Sequence, residues 1–174
     1  MRWLYIEIST ILVVSTITMV ASMFYFHHTF KVFYSLDAHR NDQEVITVIH
    51  NAQKYVYFAV YTFTKQNIAD ALIDAKKRGL TVWGITDAHQ SHLPEEAAIV
   101  QQLQSAGIPV EIQKHPSGIM HIKAVVTEKQ YASGSYNWTS SATQVNDEIL
   151  EVGSDKNIRN RYDAIISKIL VTNE

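Results

Sequence analysis

The sequence predicts an α/β domain, a mixed β-sheet flanked by helices, preceded by one N-terminal hydrophobic helix. Three observations predict it. Short runs rich in β-branched and aromatic residues alternate with segments whose apolar positions recur at helical spacing, a pattern that gives parallel or mixed sheets. A length of 174 residues fits one such domain plus a small extra segment. Residues 8–26 are uncharged and mostly apolar, unlike anything that follows.

The elements read in order. Those 19 residues of ISTILVVSTITMVASMFYF would span about 28 Å as a helix, close to a bilayer core. Residues 1–30 are therefore expected to be a membrane anchor or signal segment, and residues 31–174 a separate domain. The length favours a retained single-pass anchor over a cleaved signal with its Val20-to-Ser22 site. A short N-terminal flank places the domain outside the cytoplasm, periplasmic in a bacterium; secretion after cleavage is the alternative. KVFYS from Lys31 reads as a strand. Asp42 can cap a helix with Val45, Ile46, Ile49 and Ala52 on its apolar face. YVYFAVYTF from Tyr55 is a central strand. A helix with Ile68, Ala71, Leu72 and Ala75 follows and stops at Gly79. TVWGITD from Thr81 is a strand, residues 95–105 a helix ending at Gly107, and residues 110–113 a short strand. Residues 121–126 and 131–133 read as a hairpin turning near 128–130. A strand at 149–152 and a helix at 158–171 close the domain.

Composition excludes several chemistries. There is no cysteine, hence no disulfide, thiolate zinc site or cysteine nucleophile. The formal charge is −2, and removing residues 1–30 takes away only Arg2 and Glu7, so the domain lacks the broad basic field of a bulk-charge nucleic-acid binder. His89 and His92 have a metal-compatible spacing but no third ligand nearby, so neither metal nor cofactor is expected.

Chemistry concentrates in residues 121–148. His121 and Lys123 share one face if extended, and Ser135 and Asn137 repeat that spacing after Gly134. A nucleophile or base, a cation and two hydrogen-bond donors would thus meet at one point, which suits a phosphate diester. A neutral histidine can attack phosphorus and form a phosphohistidine. Lys123, Ser135 and Asn137 would stabilise the extra charge, and Glu148 is the candidate to orient the imidazole. An in-line displacement needs a second acid on the leaving-group side. One His121 cannot stand on both sides, and the unit occurs once. A two-fold homodimer would bring a second His121 to the axis.

These residues resemble the H-x-K-x4-D-x6-G-S-x-N motif of the phospholipase D superfamily, matched by His121, Lys123, Gly134, Ser135 and Asn137, with Glu148 at a downstream carboxylate position. YTFT from Tyr61 and ALIDAKKRGLTV from Ala71 extend the resemblance to small single-motif members, over roughly residues 31–171. These include bacterial endonucleases and the mitochondrial cardiolipin hydrolase or nuclease group. The resemblance implies the phospholipase D-like fold, a homodimer with its active site at the dyad, and metal-independent phosphodiester hydrolysis, with endonuclease the favoured activity. The alternatives are a phospholipase D acting on phosphatidylcholine or cardiolipin beside the membrane, and an inactive dimer that binds a phosphate ligand. One departure stands out: the motif aspartate is Glu128, followed by five residues before Gly134 instead of six. Among weaker features, His115 reads as an exposed loop residue, Asp87 as a turn or helix-cap residue, Lys76 to Arg78 as a solvated helix end, and Tyr131, Tyr136 and Trp138 as aromatic core.

Overall fold

The computed structural model describes Ser15, residues 30–114 and residues 117–173. Its centre is one seven-stranded sheet. In chain order the elements are β1 (Phe30–Tyr34), α1 (Ser35–Ala38), α2 (Asn41–Asn51), β2 (Tyr55–Val60), α3 (Gln66–Lys77), β3 (Thr81–Thr86), a 3-10 turn (Gln90–His92), α4 (Pro94–Ser105), β4 (Val110–Ile112), β5 (Lys123–Thr127), β6 (Tyr131–Gly134), α5 (Ser140–Gln144), β7 (Ile149–Gly153) and α6 (Lys156–Thr172). The strand order is β1-β7-β6-β5-β2-β3-β4. β2, β3 and β4 run parallel because helical crossovers join them, while the remaining neighbours are antiparallel.

The expected mixed sheet with flanking helices is therefore present. Apolar periodicity explains which side of each helix faces it. Val45, Val48 and Ile49 of α2, Ile68 and Leu72 of α3, and Ile99 and Leu103 of α4 pack with Val56, Phe58, Val125, Leu150 and Val152 on one face. On the other face α6 sets Ile166 and Leu170 against Ala59, Ile85, Ala124 and Val126. Gly79 ends the α3 crossover with φ +88°, a conformation that L side chains rarely adopt.

Three expectations are corrected. The central strand stops at Val60, since residues 61–65 turn away to meet the chain around Trp138. Asp42 lies inside the first turn of α2, and its carboxylate takes Lys65 Nζ at 2.9 Å and Asn67 Nδ2 at 2.7 Å in place of a cap. Burial alone would raise the Asp42 carboxyl, but Lys65 and Asn67 outweigh it and hold it low. Finally, no helix among the described residues is long and apolar enough to cross a membrane. The longest, α6, carries Lys156, Arg159, Arg161, Asp163 and Lys168. The expected single-pass anchor is thus unsupported, and the membrane localisation and extracytoplasmic placement derived from it fall with it; residues 8–26 themselves, Ser15 apart, lie outside the described residues.

Candidate active site

The register Ala124↔Ser133 brings the entry to β5 and the exit from β6 to one sheet edge, so the two halves of the motif meet there. His121 is just outside the strand: β5 begins at Lys123, and Tyr61 N–H donates to Ile122 O at 2.8 Å at the junction. The imidazole is exposed and leans on Tyr61, ring centroids 4.6 Å apart at 59°. Lys123 is buried, its Nζ donating to His121 O at 2.9 Å and standing 4.7 Å from the Tyr61 centroid. Burial pushes its ammonium down from the usual lysine value, while the negative charge of Glu148 partly restores it. An ammonium has three donors, and His121 O takes one, so this charge is poised to meet an anion.

Ser135 and Asn137 do not continue the strand. β6 ends at Gly134, Ser135 sits in a bend, and the chain crosses toward α5. Gly134 is needed because a Cβ there would lie 2.1 Å from Ile149 O, with φ at +157°. That close approach lets Ser135 N–H donate to Ile149 O at 3.0 Å, while Ile149 N–H donates to Ser135 Oγ at 3.1 Å. Ser135 Oγ in turn donates to Glu148 Oε2 at 2.5 Å, and Asn146 Nδ2 reaches Oε1 at 3.4 Å. Glu148 is fixed from behind by Ser35, whose Oγ accepts its N–H at 3.0 Å. Within one chain Glu148 thus orients Ser135; the His121 ring makes no hydrogen bond among the described residues. The Asn137 Oδ1 is buried and takes no hydrogen bond among the described residues, leaving amide capacity unspent beside the motif.

Two aligned loops frame this edge. Thr64 and Lys65 N–H donate to Trp138 O at 2.8 and 2.9 Å, and Trp138 N–H donates to Thr62 O at 3.0 Å. Trp138 packs edge-on against Phe63, centroids 4.8 Å apart; with Tyr131 and Tyr136 it is buried, as core packing requires. Beneath, the fully buried Glu96 accepts from Phe63 N–H at 2.9 Å and from the Thr86 hydroxyl. Burial pushes its carboxyl up, the Thr86 and Phe63 bonds oppose this, and the nearby Asp87 charge adds to the rise.

Glu128 stands away from all of this, at the hairpin turn. Its carboxylate accepts from Gln53 N–H at 2.8 Å, Lys54 N–H at 3.2 Å and Tyr55 N–H at 3.5 Å. Burial alone would raise it, but these bonds hold it below the usual range. His115 lies outside the described residues.

The family model described as "Cardiolipin synthase, PLD-like domain" matches residues 45–170, a span that includes every motif position. The chain belongs to the phospholipase D-like family. Two of its relatives are a phospholipase D of Rickettsia bellii, 34% identical over 66% of this chain and 56% of the relative, and a mitochondrial cardiolipin hydrolase of Xenopus tropicalis, 33% identical over 68% and 55%. The chain spans a little over half the length of these curated relatives. Among solved structures the phospholipase D family member Nuc of Salmonella typhimurium has a TM-score of 0.75 at 24% identity, covering 82% of this chain and 93% of Nuc. NucT of Helicobacter pylori has the same score and identity, covering 84% and 98%. At that identity the likeness establishes the phospholipase D-like fold.

The spacing of His121, Lys123, Gly134, Ser135 and Asn137 makes the motif legible in the sequence, whereas Tyr61, which touches both His121 and Lys123, lies outside it. The available signal was its place at the carboxyl end of a central strand, where α/β sheets build their sites.

Proposed function

We propose that this phospholipase D-like chain, with residues 31–174 as its catalytic domain, is a metal-independent phosphodiesterase acting as a homodimer. The observation that carries this reading is the gathering of His121, Lys123, Ser135, Asn137 and Glu148 at one sheet edge, with an exposed imidazole beside a buried ammonium. His121 attacks phosphorus and forms the N–P bond as the leaving oxygen departs with a proton from His121 of the partner subunit. Water then attacks the phosphohistidine, giving its proton to that same partner histidine and releasing His121. Lys123, Ser135 and Asn137 hold the non-bridging oxygens, and Glu148 acts through Ser135.

A surface beside the half-site supports the dimer. Phe30, Val32 and Tyr34 share a face of β1 with Ile149 of β7 and are 55%, 55%, 39% and 49% exposed, an apolar patch adjoining Ser135 and Glu148.

Nucleic acid is the substrate we infer, on the overall resemblance of the chain to the small single-motif endonucleases. A phospholipase D reading is favoured by the curated relatives, which carry the names phospholipase D and mitochondrial cardiolipin hydrolase. The full chain and its His121→Ala variant, assayed side by side on nucleic acid and on phosphatidylcholine or cardiolipin vesicles with chelator present, test both. Turnover of nucleic acid alone is expected, lost in the variant with dimerisation intact. Turnover of vesicles alone selects the lipid reading. Appreciable activity in the variant, or a strict divalent-ion requirement, would overturn the mechanism.

A further inference from the structure

We propose that Asp87 is the positioning residue of the candidate nucleophile, holding His121 from two directions; this rests on the reading of His121 as nucleophile. Asp87 follows β3 and is 1% exposed, so its carboxylate must be satisfied from within. Oδ1 accepts the N–H groups of His89 at 2.9 Å and Gln90 at 3.2 Å, which closes the turn after the strand. Oδ2 accepts Met120 N–H at 3.0 Å. A turn needs the first oxygen only, and an asparagine or serine would supply it with less desolvation. The second oxygen fixes the residue immediately before His121. Gln113 Oε1 also accepts that N–H, at 3.1 Å, so two buried acceptors set where the chain enters β5.

A second route ends on the imidazole itself. Gln90, whose N–H rests on Asp87, donates from Nε2 to Tyr61 Oη at 3.3 Å and accepts from Thr62 Oγ1 at 3.1 Å. Tyr61 is the wall against which the His121 ring rests and over which Lys123 Nζ stands. One carboxylate therefore references both the backbone before His121 and the ring beside it. Lys123, bonded to His121 O, moves with them. Attack in line with a leaving group tolerates little displacement, and about 1 Å can cost on the order of 100-fold in rate. Asp87 touches none of the motif side chains, so its loss should act on turnover and leave ground-state binding alone.

Asp87→Asn keeps the shape of the side chain, but one amide oxygen cannot accept at both ends, and the NH2 then faces a backbone N–H. Gln90→Leu removes only the route through Tyr61. Both are measured beside wild type and His121→Ala on the unspecific diester bis-para-nitrophenyl phosphate, with active sites counted by trapped phosphohistidine. For Asp87→Asn the expected result is a fall in kcat of about 10- to 100-fold per active site, with KM within about twofold. For Gln90→Leu a smaller fall in kcat is expected, again with KM unchanged. If Asp87→Asn does not fold, Gln90→Leu alone decides. Unchanged kcat per active site in the folded variants, or a loss explained wholly by fewer active sites, would overturn the inference while leaving the nucleophile intact. Activity in His121→Ala would instead overturn the reading beneath it.

Discussion

Glu128 occupies the position where the family motif carries aspartate, and the structure assigns it work remote from phosphate chemistry. Consider Glu128→Ala. The carboxylate ties the hairpin turn to the N–H groups of Gln53 and Lys54 at 2.8 and 3.2 Å, with the Tyr55 bond at 3.5 Å too long to count for much. A hydrogen bond to a charged group is worth about 1.5–3 kcal/mol net. Gln53 and Lys54 are exposed, so water replaces part of what is lost, and a total near 2–3 kcal/mol is expected. For a chain of this size that lowers Tm by about 5–10 °C. The folded carboxyl is held below its ordinary value of 4.5, so its stabilisation is fully present above that pH. It is lost as pH falls through the folded value. The gap between wild type and Glu128→Ala should therefore be constant from pH 6 to 8 and shrink on acidification below about 4. Catalysis should survive, because the five residues of β5 put about 16 Å between Glu128 and the site edge. Urea denaturation across this pH range, paired with kcat on a simple diester, measures both. A tenfold fall in kcat at unchanged stability would refute the assignment and place Glu128 in the site.

Two further outcomes follow from groups beneath the site. Glu96 has its folded pKa raised by burial, so the folded state binds more protons than the unfolded one just above the ordinary carboxyl value, and stability falls as pH rises through that window. Glu96→Gln keeps an acceptor for Phe63 N–H and a donor for Thr86, so it should remove that pH dependence and be at least as stable as wild type at pH 8; urea midpoints from pH 4 to 9 check this. Gly134→Ala forces a Cβ to within 2.1 Å of Ile149 O, which should cost at least about 2 kcal/mol and, by parting β6 from β7, loosen Ser135 from Glu148. Both the urea midpoint and kcat should fall, and a variant of wild-type stability would refute the close approach.

What the sequence made legible was whatever depends on neighbours along the chain. Val45 with Ile49, Ile68 with Leu72, and the continuous run of β2 announce their elements because helical and strand periodicities act over a few residues. The motif was legible for the same reason, since β5 and β6 are joined by a short turn. α1 and α5 escaped because helices of four and five residues carry no full apolar period. The partner of Glu148 is not legible in the sequence. Its spacing offers it equally to His121 and to Ser135, and only the bend forced by Gly134 decides that Ser135 receives it within one chain. Tyr61 and Asp87 lie 60 and 34 residues before His121 and reach it because parallel β2 and β3 end at the edge where β5 begins. The local turn around Asp87 accounts for Oδ1 alone, whereas Oδ2 reaches Met120 N–H 33 residues on.

That division bears on how the proposed site would work. The motif residues sit on the antiparallel side of the sheet, where a hairpin and a bend set them in place, and the groups that steady them come from the parallel side. β5 is the seam, pairing with β2 on one flank and β6 on the other. In the proposed reaction, a phosphate approaching Lys123 would meet an ammonium already stripped of most water and already held by His121 O, so little reorganisation would remain when charge develops on phosphorus. The exposed imidazole is the element left incomplete: it has a wall in Tyr61 and a fixed backbone, yet no hydrogen-bond partner for its ring among the described residues. In a dimer closed over the apolar patch of β1 and β7, that partner would come from the second chain. Monomerising substitutions in the patch would then abolish turnover without touching a single motif residue.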